Sequence, residues 1–166
     1  MAEALLISRN DIVKFTALNG NIDTDSFIQW IKVAQDIHIQ NYLGTNLLEK
    51  IKTDIINNTL ANPYLSLLKT YVKPMLIHWA MVEYLPFSAY TIANKGVFKH
   101  TSENATSVEK NEVDFLVEKK RMIAQNYTER FITYINFNNS LFPEYSTNSN
   151  ADMFPSTQNN FTGWYI

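Results

Sequence analysis

Apolar residues recur along this chain at helical spacing, and short polar or glycine- and proline-bearing runs interrupt them. Ile12, Phe15 and Leu18 share a side of a short helix over 8–18, with Ser8 as N-cap, Asp11 three residues on, and Gly20 and Asn21 as its end. The stretch "DTDSFIQWIKVAQDIHIQNYLG" is the plainest helix. Phe27, Ile31, Ala34 and His38 form one stripe, and Ile28, Ile39 and Tyr42 widen it, so this helix is expected to touch more than one neighbour. Asp23 or Thr24 caps it, Asp25 sits at the positive end of its dipole, and Gly44 stops it.

Thr45 is the expected cap of the next helix, whose stripe is Leu47, Leu48, Ile51, Ile55 and Ile56. After the break "NNTLANP", Pro63 opens a helix through Leu65, Leu68, Tyr71 and Val72, and Pro74 either kinks that helix or splits it from the next segment. The segment from Met75 to Ala93 is apolar nearly all round and is therefore central, with a bend at Pro86. "NKGVFKHTSENATS" reads as a loop or hairpin. Ser107 then caps a long helix with Val108, Phe115, Ile123, Tyr127, Phe131, Ile132 and Ile135 as apolar positions. Near Asn138 the helical pattern stops. The expected architecture is all-α: a bundle of about five to six helices over residues 1–138, a long loop, and an extended C-terminal arm over 139–166.

Composition adds exclusions. The chain has 166 residues, enough for one domain, and 46% of them are hydrophobic. A net charge of −2 supplies no global basic field for free nucleic-acid binding. Without cysteine there is no disulfide framework and no thiolate chemistry. The start "MAEALLISRND" has no basic region before its apolar run and is not read as a signal peptide. "MLIHWAMVEYLPFSAYTIA" contains His78, Glu83 and Pro86 and reads as a buried helix, not a membrane span.

No constellation of catalytic or metal-binding spacing is present. His38, His78 and His100 are scattered, and the first two are expected to be core or interface imidazoles. Asp23, Thr24 and Asp25 read as a helix start before a cation site. Glu83, inside the most apolar stretch, is expected to have a structural partner such as Lys, Tyr or His. No enzyme activity, cofactor or metal is expected. Lys95, Lys99 and His100 gather beside Phe98, a cluster that can face a phosphate backbone but equally describes a solvated loop. The arm is rich in Asn, Ser and Thr, yet carries Phe142, Tyr145, Phe154, Phe161, Trp164 and Tyr165, a composition suited to anchoring on another surface.

Four segments, in order, carry a resemblance: "AQDIHIQNYLGTNLLEKI", "YLSLLKTYVKPMLIHWAMVEYLPF", "NKGVFKHTSENA", and a long helix ending in an aromatic run and "FPEY". Over roughly residues 8–145 the chain resembles the small helical head–tail connector proteins of tailed bacteriophages, especially those of phages infecting Bacteroidetes hosts, including the ring proteins of crAss-like phages. The resemblance implies a virion neck protein made in the host cytoplasm. It would form a ring, usually dodecameric, beneath the portal, continue the DNA channel and dock the next neck or tail protein. In that setting Lys95, Lys99 and His100 would meet DNA phosphates without base readout. Phe142 and Tyr145 would form the base of the arm, held against its own bundle or the adjacent subunit, and Phe154, Phe161, Trp164 and Tyr165 its anchors on the portal or a neighbouring subunit. The competing expectations are a non-viral helical interaction module that docks by its aromatic tail, and an enzyme with a Glu83/His78 site.

Overall fold

The computed structural model describes residues 3–18, 24–88, 90–93, 96–99, 109–147 and 152–158. Among these, six helices and one short hairpin succeed each other in the chain. Helix α1 is Arg9–Phe15, and Ser8 and Asp11 form its reciprocal capping box. Helix α2 covers residues 24–43 in three parts: Thr24–Ala34, a π turn at Gln35–Ile39, and a last α turn, Gln40–Leu43. Gly44 ends it with φ 75° and ψ 161°, a conformation that a β-carbon would oppose. Helix α3 is Thr45–Ile56.

Helix α4 covers residues 64–84 and is also interrupted, by a π turn at Leu68–Val72 between Tyr64–Leu67 and Lys73–Tyr84. The Lys73 N–H reaches back to the Leu68 carbonyl across the wider turn. Pro74, which can donate nothing, therefore falls just after a local change of pitch, and it neither splits nor ends the helix. Pro86 lies in a 3-10 turn, Leu85–Phe87, that closes α4 rather than bending it. Strands β1 (Tyr90–Ala93) and β2 (Gly96–Lys99) pair antiparallel, with Tyr90 opposite Lys99 and Ala93 opposite Gly96. Tyr90–Ala93, expected as the end of the helical segment from Met75, is thus a strand, because the helix closes at the 3-10 turn; of the segment 94–107, expected as a loop or hairpin, the described residues 96–99 form its partner strand. Helix α5, Lys110–Phe137, starts from Glu109 with Glu112 completing a capping box, so its cap is Glu109 and not Ser107, which lies outside the described residues. A 3-10 turn, Asn139–Leu141, and the one-turn helix α6, Pro143–Ser146, complete the order.

The architecture is an all-α bundle with one hairpin attached. Helix α4 packs against both α2 and α5, and between residues 75 and 82 only His78 escapes full burial. That is why this stretch shows no polar face in the sequence. Ile31, Leu47, Leu68, Leu76 and Phe131 all lie in one contiguous core. The segment before α1 joins it through Leu6 and Ile7. The π turn in α2 places the Gln35 side chain, fully buried, where its amide accepts from the Leu6 N–H (2.9 Å) and donates to the Ala4 carbonyl (3.1 Å). A glutamine in a core is tolerable because both ends of its amide are satisfied. Among the described residues, no helix is long and apolar enough to cross a membrane.

Candidate functional site

The C-terminal segment is held to its own bundle in two stages. First, the chain after α5 turns back and buries Phe142, 0% exposed, and Tyr145 in the core. Tyr64 meets the Phe142 ring edge-on at 5.5 Å and donates its hydroxyl to Glu144 at 2.6 Å. Burial first, and the Glu144 carboxylate second, push the Tyr64 phenol up to about 12. On the other side Tyr134 stacks on Tyr71 at 4.0 Å, with the Arg130 guanidinium over the Tyr71 ring. Asn46 of α3 donates to the Thr147 carbonyl at 3.0 Å. Of the two places expected for Phe142 and Tyr145 as the base of the arm, their own bundle or the adjacent subunit, the described residues show the first, and their expected role in partner contacts is corrected to that extent. Their rings fill the space between α3, α4 and α5, so bundle packing runs past residue 138 to about Thr147.

Second, residues 152–158 lie along the junction of α2 and α3. The Thr45 N–H donates to the Met153 carbonyl, and the Met153 N–H donates to Thr45 Oγ1, both at 3.0 Å. The Ser156 N–H donates to the Asn41 carbonyl at 2.8 Å, and Gln40 reaches Asp152 at 3.2 Å. Thr45 was expected to cap α3 but is its first helical residue, and its hydroxyl is taken by Met153 and Gln40. The tail itself supplies the missing partner for an N-terminal N–H of α3. Pro155 is buried against this junction, while Phe154 points away and is 67% exposed. Phe161, Trp164 and Tyr165 lie outside the described residues.

A second surface lies on α5. Phe115, Leu116, Met122 and Ile123 face away from the core; Phe115 is 60% and Met122 58% exposed. Val117, Ala124, Thr128, Phe131 and Ile135 of the same helix face inward. Seven-residue spacing puts Phe115 over Met122 and Leu116 over Ile123, so the helix carries a largely exposed apolar strip on its outer side, with the Lys119 ammonium of the same helix 5.5 Å from the Phe115 ring centroid.

The titratable groups form structural pairs. His38 Nε2–H donates to Glu83 Oε1 at 2.8 Å, and the His38 ring stacks on Trp79 at 3.9 Å between centroids. This hydrogen bond outweighs burial and lowers the Glu83 carboxyl below its ordinary value. The Trp79 indole N–H donates to Thr128 Oγ1 at 3.0 Å, and Thr128 donates on to the Ala124 carbonyl at 2.8 Å. Of the structural partners expected for Glu83, Lys, Tyr or His, it has a histidine, His38. His78 lies apart, stacked 5.3 Å from Tyr127, and its Nδ1 is buried without a hydrogen-bond partner among the described residues. Burial, with a smaller contribution from Lys120, lowers the His78 imidazole to about 4. Among the described residues no hydrogen bond joins Glu83 to His78, the two residues of the competing enzyme reading. Among the described residues no three His, Asp or Glu side chains converge as a metal site would require. Lys99 ends β2, and Lys95 and His100 lie outside the described residues.

A model of a family of unknown function, DUF6712, matches residues 39–155, well over half of the chain. The chain belongs to this family. No curated protein and no solved structure matches it. The DUF6712 match begins within the π turn of α2 and ends at Pro155. It therefore includes the turn back after α5 and the start of the tail run on α2 and α3.

Proposed function

We propose that this member of the DUF6712 family is a structural virion protein, a head–tail connector that assembles as a ring between portal and tail and continues the DNA channel. The observation that carries the reading is the outer strip of α5. A helix that keeps Phe115, Leu116, Met122 and Ile123 in solvent while burying a full opposite face has a second apolar side to offer another copy of the chain. The ordered resemblance in sequence to phage connector proteins supplies the kind of assembly. In it, the ring stands on the portal, the distal aromatics Phe154, Phe161, Trp164 and Tyr165 anchor on the portal or an adjacent subunit, and Lys95, Lys99 and His100 face DNA phosphates in the channel. The place of the protein is then the neck of the virion.

Size-exclusion chromatography with light scattering, of the chain alone and mixed with the portal protein from the same genome, tests this. A ring-sized species that Met122→Glu returns to monomer, without loss of thermal stability, is the expected result. A wild-type chain that stays monomeric in both samples overturns the reading.

A further inference from the structure

Helices α1, α4 and α5 meet around a pocket of about 330 Å³. That volume lies within the range of sites that enclose small ligands, about 300–1,000 Å³. Ile77 of α4, which is buried, lines it beside His78. His78 and Tyr127 of α5 lie nearly parallel, 5° apart in plane and 5.3 Å between centroids. Phe15, the last residue of α1, lines the same pocket and is mostly in solvent. Burial and the nearby Lys120 ammonium hold the His78 imidazole well below its ordinary value, so at neutral pH it is an uncharged plane. The pocket therefore offers three flat rings beside an aliphatic side chain.

Its charge is not balanced. Among the described residues the lining holds two cations, Lys69 and Lys73, against one carboxylate, Asp11. Asp11 is already occupied: its Oδ2 accepts from the Ser8 N–H at 2.8 Å, the Ser8 hydroxyl at 2.9 Å and the Lys73 ammonium at 3.2 Å. Lys73 and Asp11 thus offset each other, and the exposed Lys69 ammonium is left without a carboxylate partner among the described residues. Lys120, close enough to act on the imidazole, adds positive charge from α5. In a chain of net charge −2 this is a local reversal of sign. Flat apolar faces next to a spare cation match a ligand that joins a ring to a negative charge. We propose that this pocket binds a small planar anion, an aromatic ring carrying one carboxylate, with the ring against Phe15, His78 and Tyr127 and the carboxylate on Lys69. The proposal concerns the single chain and stands or falls without the assembly proposed above.

Titration of the full chain with cinnamate, followed by NMR of the histidine and tyrosine rings, tests it. Saturable shifts of the His78 and Tyr127 resonances, with His38 unmoved, are expected. Cinnamamide, which keeps the shape and loses the charge, should bind about tenfold more weakly, the difference between a charge-assisted hydrogen bond and a neutral one. Lys69→Gln, at an exposed position, should leave the melting temperature unchanged. It should weaken cinnamate by a similar factor and leave cinnamamide as it was, a split that a general loss of structure would not produce. Equal affinity for cinnamate and cinnamamide, acetate binding as tightly as cinnamate, shifts centred on other residues, no saturable shift in the millimolar range, or a Lys69→Gln variant that binds cinnamate as the wild type does would each overturn the proposal.

Discussion

The bond between Trp79 and Thr128 is a hydrogen bond inside the core, and its worth can be isolated. Thr128→Val keeps the shape of the side chain but removes the oxygen that accepts from the indole N–H. Both residues are buried, so the indole would be left without a partner and without access to water. Stranding such a donor costs about 1–3 kcal/mol. The lost bond from Thr128 to the Ala124 carbonyl matters less, because that oxygen belongs to a helix. Trp79→Phe removes the donor and carries its own packing cost, which cancels in a double-mutant cycle. In the Trp79→Phe background, Thr128→Val should therefore cost close to nothing, giving a coupling of about 1–2 kcal/mol. Urea unfolding monitored by circular dichroism at the helical band measures this without relying on the altered indole. At a slope of about 2 kcal/mol/M, the midpoint of Thr128→Val should fall by about 0.7 M with the slope unchanged. If Thr128→Val costs the same in both backgrounds, the hydrogen bond contributes nothing and the loss is one of packing alone.

Trp79→Ala, which empties a buried site stacked on His38, should destabilise by about 3–5 kcal/mol in the same assay. His78 has a folded value of about 4, below its ordinary 6.5, so the unfolded chain binds more protons between the two. Stability should be full above pH 6.5 and fall as pH drops through that window, and His78→Gln should flatten this slope in a series of melts. Gly44→Ala, forced into a positive φ with an extended ψ, should cost about 1–3 kcal/mol by chemical denaturation. Thr45→Val removes the acceptor for the Met153 N–H and should speed amide exchange at Met153 and Ser156, by about tenfold if the contact is worth about 1.4 kcal/mol. Unchanged exchange there would mean that Pro155 packing alone holds the run.

Where periodicity and capping act locally, the sequence was a sufficient guide. Ser8 with Asp11, the stop at Gly44, and the all-round apolar stretch of α4 obey rules that involve a few neighbouring residues. The features it did not disclose depend on partners far away in the chain. Gln35 looks like an ordinary polar position on α2 until a π turn and the backbone of Ala4 and Leu6 meet it. Thr45 has the right chemistry for a cap, and only the return of Met153 reassigns its hydroxyl. Phe142 and Tyr145 sit beyond the last long helical stripe, so nothing local marks them as core, although both are buried there and Phe142 meets the rings of Tyr64 and Tyr134. The outer strip of α5 was partly visible: Phe115 and Ile123 were read as apolar positions of that helix, but a linear pattern cannot tell an inner face from an outer one when both are apolar.

The two π turns bear on how this chain tolerates changes of length. A residue removed from an ordinary α-helix swings everything after it by about 100°, which in α4 would turn Trp79 and its neighbours out of the core. Each π turn, at Gln35–Ile39 and Leu68–Val72, already holds a residue more than the regular helix needs. Deleting Ile37, which lies mostly in solvent, would let α2 relax into a plain α-helix with Tyr42 and Leu43 still facing inward. Relatives one residue shorter at either turn can therefore share this core unchanged, whereas a deletion a few positions away would require the whole bundle to repack.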